Sequence, residues 1–261
     1  MFPLFILIAV MSFVFGACIG SFLNVVICRM PEGQSIVSPP SHCPACNHAI
    51  PFYFNIPIIS FLLLKGKCGF CNAPISIRYP LVELITGLLA LGFFLKFGPT
   101  PTALFYFTFS AVLVAVSFID LDHQIIPDKL SLPGILFFSS SCLFVPQVSF
   151  ISVIFGILAG GGILYLVALL YYLIRKHQGM GGGDIKLLAM IGAAIGVKGA
   201  FFTLFAGSVF GTLGGVAAMA LTKNSEKRQA KIPFGPFLSL GAIFYIYWGE
   251  PLIHWYINFI G

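Results

Sequence analysis

The sequence predicts an all-α protein that crosses a membrane about eight times and carries a small cytoplasmic loop domain with four cysteines. Composition is the first observation behind this prediction: 59% of the 261 residues are apolar and only 8% are charged, and the mean hydropathy is +1.01. Water-soluble domains have about a quarter of their residues charged, so that class is excluded. The 17 prolines and 28 glycines also exclude a single long coiled coil.

Long apolar runs are the second observation, because a helix needs about 20 apolar residues to cross a bilayer. The first run has no basic residue in front of it, so we predict a retained span rather than a cleaved signal peptide. The sixth run is short for a full crossing. The predicted spans are residues 3–27, 80–97, 101–119, 130–149, 150–174, 187–197, 199–221 and 236–249.

The distribution of lysine and arginine predicts the orientation of these spans. With eight alternating crossings, twelve basic residues fall on one side of the membrane and only Lys96 and Lys198 fall on the other. Basic residues concentrate in cytoplasmic loops, which assigns the basic side to the cytoplasm. The net charge of +6 then reflects topology, and we predict no nucleic-acid binding. The predicted cytoplasmic segments are 28–79, 120–129, 175–186 and 222–235.

The first cytoplasmic segment contains two Cys-x-x-Cys pairs, Cys43/Cys46 and Cys68/Cys71, separated by 21 residues. Two such pairs match a tetrahedral four-thiolate zinc site, with iron in a similar site as an alternative. Disulfide pairing is disfavoured because the reducing cytoplasm rarely contains structural disulfides. Four thiolates complete the coordination shell, so we predict that the zinc is structural.

Aspartates lie at two predicted cytoplasmic ends of spans: Asp120, Asp122 and Asp128 near the third span, and Asp184 before the sixth. If those helices are neighbours, Asp120 and Asp184 can meet, although they are 64 residues apart. One ionised and one protonated carboxylate are the minimum equipment of an aspartic hydrolase. The alternative is helix N-capping, which explains Asp128 better. Capping alone does not require the three glycines at 181–183, which allow unusual backbone conformations.

The helix ends also suggest a division of roles between the two aspartates. Asp120 closes the third span, where the helix dipole disfavours an anion, whereas Asp184 opens the sixth, where the dipole favours one. From each residue's own helix we therefore expect Asp184 to be the ionised base and Asp120 the protonated acid.

Six motifs occur in order along nearly the whole chain. They are Gly20-Ser-Phe-Leu-Asn24-Val-Val-Ile-Cys-Arg29-Met-Pro31, the paired cysteine knuckles, Asn55-Ile-Pro-Ile-Ile-Ser, Arg78-Tyr-Pro-Leu-Val-Glu83, Asp120-Leu-Asp-His-Gln-Ile-Ile-Pro-Asp128 and Gly181-Gly-Gly-Asp184. Together these motifs resemble those of the bacterial type IV prepilin peptidases. The resemblance implies a bifunctional inner-membrane enzyme with its aspartates and cysteine domain on the cytoplasmic side. Such an enzyme cleaves the basic leader of prepilins and pseudopilins after a glycine, then N-methylates the new amino terminus with S-adenosylmethionine.

The resemblance assigns the catalytic pair to Asp120 and Asp184, with Gly181 and Gly183 completing the GxGD signature before Asp184. We add Asp122 as a supporting residue, because it belongs to a local acidic patch that would attract a basic leader.

The resemblance also associates the cysteine domain with methylation. We therefore expect residues 1–98, including the four-cysteine domain at about 28–79, to serve methyl transfer, and residues 99–261 to form a peptidase domain with about six spans. Glu83 and Asn24 are candidate methyl-transfer residues, since they are polar and lie near the membrane edge of the cysteine domain. The alternative is that they anchor the loop to the helices.

The expected partners are prepilin or pseudopilin substrates, membrane lipid, and the assembly machinery of a pilus or a type II secretion system. The expected cofactors are S-adenosylmethionine and Zn²⁺. One alternative function is a peptidase whose zinc domain is only structural. Others are a membrane transporter and a non-enzymatic scaffold for pilus assembly.

Overall fold

A computed structural model describes residues 2–176, 181–221 and 233–260. Over these ranges the regular structure is helical, and pairing between extended segments is limited to two isolated β-bridges. The all-α prediction is therefore confirmed. The helices are α1 (Phe2–Arg29), α2 (Ile59–Leu63), α3 (Arg78–Phe97), α4 (Pro101–His123), α5 (Asp128–Phe138), α6 (Ser141–Phe144), α7 (Phe150–Arg175), α8 (Gly182–Leu221), α9 (Gly235–Phe244) and α10 (Glu250–Ile260), with a 3₁₀-helix at Phe52–Asn55 and a π-helix at Tyr245–Gly249.

Five helices in the described part of the chain are long and apolar enough to cross a membrane: α1, α3, α4, α7 and α8. The predicted total of eight spans is not confirmed. The prediction and the structure differ at the predicted fourth, sixth, seventh and eighth spans, and each of these differences has a local cause.

The predicted fourth span is broken into α5, which has 11 residues with Pro133 inside it, and α6, which has four. The sixth and seventh spans are the two halves of α8, which is kinked where Gly196 adopts φ 72° and ψ −176°. Only glycine reaches such a conformation without steric cost. The eighth span is α9, after which the helix widens through the π-helix and continues as α10.

The chain divides into two compact units, Met1–Ala115 and Val116–Gly261. This packing does not test the predicted functional division at residue 98, which stays a prediction.

In the first unit α1 lies against α3 at unusually close range. A Cβ on Gly16 would meet the Thr86 carbonyl oxygen at 2.5 Å and Ala90 Cβ at 2.6 Å, so the contact depends on a glycine at this position.

In the second unit α7 packs against the first half of α8 in the same manner. A Cβ on Gly160 would lie 2.5 Å from the Leu188 carbonyl oxygen, and Gly156 and Gly192 face each other across the same contact. The second half of α8 packs on α9, where a Cβ on Gly207 would approach Leu238 at 3.1 Å. Helix α8 is therefore the element against which the neighbouring helices of this unit pack.

Candidate active site and metal centre

Asp120 lies in the last turn of α4 and is 5% exposed. Its Oδ2 atom accepts a hydrogen bond of 2.9 Å from the backbone N–H of Gly235, the first residue of α9. The first N–H groups of a helix have no partner within the helix, so Asp120 satisfies one of them. The space is tight: a Cβ on Gly235 would lie 2.7 Å from Asp120 Oδ2.

Ile126 occupies the space between the starts of α8 and α9. A Cβ on Gly183 would lie 2.9 Å from Ile126 Cβ, and a Cβ on Gly235 would lie 3.4 Å from Ile126 Cδ1. Ile126 is itself buried. A single apolar side chain from the loop after α4 therefore contacts the backbone of both helices that border the aspartates.

Asp184 lies in the first turn of α8, next to Gly183, and is half-buried. Its carboxyl group interacts electrostatically with that of Asp120. The two aspartates that the sequence pairs across 64 residues are therefore neighbours in the fold. Their convergence depends on α4, α8 and α9, together with the Ile126 side chain that separates the last two.

The three glycines before Asp184 have different surroundings. Among the residues that the structure describes, a Cβ on Gly182 would meet no atom within 4 Å, and a Cβ on Gly181 would meet only the Gly183 nitrogen, at 3.9 Å. Only Gly183 is sterically restricted, by Ile126. Of the three glycines, Gly183 is the one that is needed for the close approach of α8 to Ile126.

Asp122 is exposed in the last turn of α4. Asp128 differs from the sequence interpretation, which made it an N-cap. Pro127 is the N-cap residue of α5, whereas Asp128 is the first helical residue, and its Oδ1 atom pairs with Lys186 Nζ at 2.6 Å. This ion pair links the starts of α5 and α8, and sequence reasoning missed it because nothing in either segment indicates that the two meet.

The four predicted zinc ligands converge in the first unit. The sulfur atoms of Cys43, Cys46, Cys68 and Cys71 all lie within 4.8 Å of one another, and those of Cys43 and Cys71 are 3.8 Å apart. A tetrahedral zinc site with Zn–S bonds of about 2.3 Å has sulfur atoms about 3.8 Å apart. The four sulfur atoms and their spacing therefore fit a metal ion coordinated by four thiolates.

Each cysteine pair is shaped by its own short hydrogen bonds. The N–H of Asn47 donates to the Cys43 carbonyl at 2.8 Å, and the N–H of Asn72 donates to the Cys68 carbonyl at 3.0 Å. Both asparagines adopt positive φ, 55° and 57°, a region that asparagine tolerates better than most residues. The two knuckles thus repeat one local design, Cys-x-x-Cys-Asn.

Thiol acidity in the cluster is uneven. The backbone N–H groups of Cys71 and Phe70 donate to the Cys68 sulfur and lower the pKa of that thiol to about 6. For Cys71, a hydrogen bond from the Ala73 backbone lowers the pKa, but burial and the neighbouring thiols of the cluster outweigh it and raise the value to about 11. Four thiolates at this spacing repel one another, and a bound cation would relieve that repulsion.

The two candidate methyl-transfer residues, Glu83 and Asn24, lie on α3 and α1, and Glu83 contacts the segment between the two cysteine knuckles. The carboxylate of Glu83 accepts a 2.7 Å hydrogen bond from the Ile58 backbone N–H and another from the Ser21 hydroxyl. Asn24 donates from Nδ2 to the Tyr79 carbonyl at 3.1 Å, while its buried Oδ1 atom has no partner among the described residues.

Comparisons with known proteins identify the family of the chain. A family model described as the bacterial peptidase A24 N-terminal domain matches residues 14–97, and one described as the type IV leader peptidase family matches residues 107–216. No solved structure matches the chain.

Three similar curated proteins carry the name prepilin leader peptidase/N-methyltransferase. The relative from Aeromonas hydrophila is 37% identical and the match covers 95% of this chain and 93% of the relative. The relative from Myxococcus xanthus is 38% identical over 87% of this chain and 67% of the relative, and that from Pseudomonas aeruginosa is 36% identical over 94% and 92%. The chain is therefore an enzyme that belongs to the type IV leader peptidase family.

Proposed function

We propose that this enzyme cleaves the leader of type IV prepilins or pseudopilins with Asp120 and Asp184, and that it N-methylates the new amino terminus. The observation that carries the proposal is the placement of Asp120 and Asp184 at the adjoining ends of α4, α8 and α9, near enough for their charges to interact. The names of the relatives support the substrate class and both activities.

In the proposed cleavage, Asp120 is the ionised base. The N–H of Gly235 at the start of α9 donates to its Oδ2 atom, and both this hydrogen bond and the positive end of the helix dipole favour a carboxylate there. Asp184 lies beside that charge, so it is the partner that keeps its proton. This assignment reverses the one expected from each aspartate's own helix, because the N-terminus that favours the anion at Asp120 belongs to a third helix.

The reaction then follows from these proton positions. Asp120 takes a proton from water as the water oxygen attacks the scissile carbonyl carbon, and Asp184 donates its proton to the carbonyl oxygen. When the resulting tetrahedral diol collapses, the C–N bond breaks. The departing nitrogen takes the proton from Asp120, and Asp184 regains its proton from a diol hydroxyl.

We place this chemistry at the cytoplasmic edge of the bacterial inner membrane. The support is the excess of basic residues in the segments that contain Arg29, Lys65, Lys67 and Arg78 and in those near the aspartates. A prepilin has a basic leader followed by a hydrophobic helix, so its scissile bond lies at such an edge. Asp122 is exposed there and contributes negative charge that attracts the leader.

For methyl transfer we propose that Asn24 and Glu83 hold S-adenosylmethionine. The fit rests on the buried Asn24 Oδ1 atom, which lacks a partner among the described residues, and on a nearby carboxylate, since the cofactor offers amine and hydroxyl donors. The cofactor would supply an electrophilic methyl group, and these residues would hold it in line with the uncharged terminal amine. Equilibrium binding of the cofactor, expected to weaken in Asn24→Ala, checks this assignment separately from activity.

The four cysteines would hold a structural zinc ion, because they fill its coordination shell and leave no position for a substrate. In this proposal residues 1–98 serve methyl transfer and residues 99–261 serve cleavage.

Processing of a purified prepilin in detergent tests the function directly. Mass spectrometry resolves loss of the leader from addition of a methyl group, and wild type is expected to do both. Asp120→Asn and Asp184→Asn are each expected to lower cleavage by about 10²- to 10⁴-fold, the usual contribution of a proton-transfer residue. Both variants are expected to methylate a substrate that is already cleaved.

Three outcomes separate the alternatives. Leader loss without methylation by wild type in the presence of S-adenosylmethionine would indicate a peptidase with a structural zinc domain. Undiminished cleavage by both asparagine variants would refute the aspartate pair. Absence of cleavage by wild type would favour a scaffold.

A further inference from the structure

We propose that a groove along the second half of α8, beside the start of α9, binds the hydrophobic helix that follows the scissile bond of the substrate. This inference rests on the proposed function and adds a binding site to it. The observations concern the shape of the groove, its polarity and its position next to Asp120.

The groove contains two adjoining cavities that are shallow and open and that share Ser208 and Thr212. The first is about 350 Å³, and the second is about 300 Å³. Their lining on α8 runs from Phe205 to Leu213, nine residues with a rise of about 12 Å, or more than two turns. The lining residues are Ser208, Gly211, Thr212, Pro233, Phe234 and Phe237 for the first cavity, and Phe205, Ser208, Val209, Thr212 and Leu213 for the second.

The second cavity of the groove is almost entirely apolar, and the two hydroxyl groups in the groove are both bonded within their own helix. Ser208 donates to the Leu204 carbonyl at 2.7 Å, and Thr212 donates to the Ser208 carbonyl at 2.8 Å. Both hydroxyls are thus satisfied within α8 and require no partner from an occupant. Such a surface suits an apolar helix, because a polar group left without a partner in the bilayer is costly.

Small residues on α8 allow an incoming helix to approach closely. The spacing Gly207-x3-Gly211-x3-Gly215 is typical of helix contacts in membranes. Gly207 is covered by α9, because a Cβ on Gly207 would lie 3.1 Å from the Leu238 side chain. A Cβ on Gly211 would lie 3.6 Å from its nearest neighbouring atom. A Cβ on Gly211 would therefore make ordinary contact with Phe234 and Phe237 without a clash, and Gly211 itself adds no side chain to the floor of the groove.

The position of the groove identifies its occupant. In the substrate, the scissile peptide bond is followed by an apolar helix. Phe234, which lines the groove, is adjacent in the chain to Gly235, whose N–H donates to Asp120. We therefore assign the groove to the substrate helix, ahead of lipid or a second copy of this chain.

Two substrates make the test specific. One is a prepilin segment with leader, scissile bond and hydrophobic helix, and the other is truncated a few residues after the scissile bond. Gly211→Leu places a side chain in the groove, and Gly162→Leu is the matched control, since a Cβ on Gly162 of α7 would meet no atom within 4 Å. We expect Gly211→Leu to raise KM for the long substrate roughly tenfold, with kcat/KM for the short one unchanged and Gly162→Leu without effect.

Several outcomes would overturn the assignment. An unchanged KM for the long substrate would show that the helix binds elsewhere. Equal losses on both substrates would show that the substitution acts through Gly235 and Asp120 instead. If wild type cleaves neither substrate, the proposed function itself fails, which is a distinct result.

Photo-crosslinking gives a second measurement that does not depend on Gly211→Leu folding. A benzophenone amino acid at Thr212, in an enzyme made inactive by Asp184→Asn, is expected to crosslink to the long substrate. Adducts with lipid alone, or with a second copy of the enzyme, would refute the proposal. The same probe at Leu166, an exposed residue of α7, is the control and is expected to give no substrate adduct.

Discussion

The cysteine cluster and the aspartate site are assembled in opposite ways. Each cysteine pair is formed by a single turn with its own backbone hydrogen bonds and an asparagine at positive φ. The aspartates depend on three helices and on contacts between residues up to 115 positions apart, such as that of Asp120 with Gly235. We propose that a bound ion joins the two turns of the cysteine site, whereas the aspartate site depends on small residues where the helix backbones approach.

Removal of one ligand is expected to give the largest effect at the local site. Cys43→Ser should lose nearly all bound metal, because a structural four-thiolate site depends on every ligand. Metal analysis of the purified protein should then fall from about one ion per chain to near zero. Limited proteolysis should cut the region 28–79 faster.

Cys18→Ser is the matched control, since Cys18 lies on α1 away from the cluster and is exposed. If Cys43→Ser retained its metal, the proposed ligand set would be wrong. Loss of methylation with cleavage preserved would support the division of function at residue 98.

At the packed site, Gly235→Ala is expected to give the next largest effect. The new Cβ would lie 2.7 Å from Asp120 Oδ2, so the carboxylate must move. A displacement of about 1 Å at a catalytic group can cost about 10²-fold in rate. We expect kcat to fall by that order with KM little changed, in steady-state cleavage assays.

Gly162→Ala provides the comparison, because it makes the same change at a helical glycine with open space around it. Equal activity of the two variants would contradict a positioning role for Gly235.

A smaller effect is expected from Gly183→Ala. Its Cβ would lie 2.9 Å from Ile126 Cβ, and a shift of Ile126 would loosen the approach of α8 to the Asp120 side of the site. We expect kcat to fall roughly tenfold, since the contact reaches the aspartates only through Ile126. Gly182→Ala, one residue earlier and without close neighbours, should keep wild-type activity in the same assay. Equal losses would mean that the motif needs backbone freedom throughout.

The ion pair between Lys186 and Asp128 is expected to give the smallest effect. The two side chains are 36% and 58% exposed, and exposed pairs contribute about 0–1 kcal/mol. Lys186→Met should therefore lower the melting temperature by only a few degrees. A double-mutant cycle with Asp128→Asn, followed by thermal unfolding, measures the coupling. A coupling well above 1 kcal/mol would show that the pair is a main link between α5 and α8.

Sequence alone determined the features that are set by local rules. Composition and apolar runs predicted an all-helical membrane protein, and the two Cys-x-x-Cys spacings predicted a cluster that the fold brings within metal-binding distance. The order of motifs indicated the family. These predictions succeed because hydrophobic length and turn chemistry depend on neighbouring residues in the chain.

Only the tertiary structure decided the remaining features. Three contacts each join segments that are distant in the sequence, and no local sequence pattern predicts them. They are the hydrogen bond of Asp120 with the Gly235 amide, the contact of Ile126 with Gly183, and the ion pair of Asp128 with Lys186. The helix dipole nearest Asp120 likewise comes from α9, which is why the roles that we propose for the two aspartates differ from those expected from each residue's own helix. Such contacts depend on which helices become neighbours, and that choice is made by packing of the whole unit rather than by any one segment.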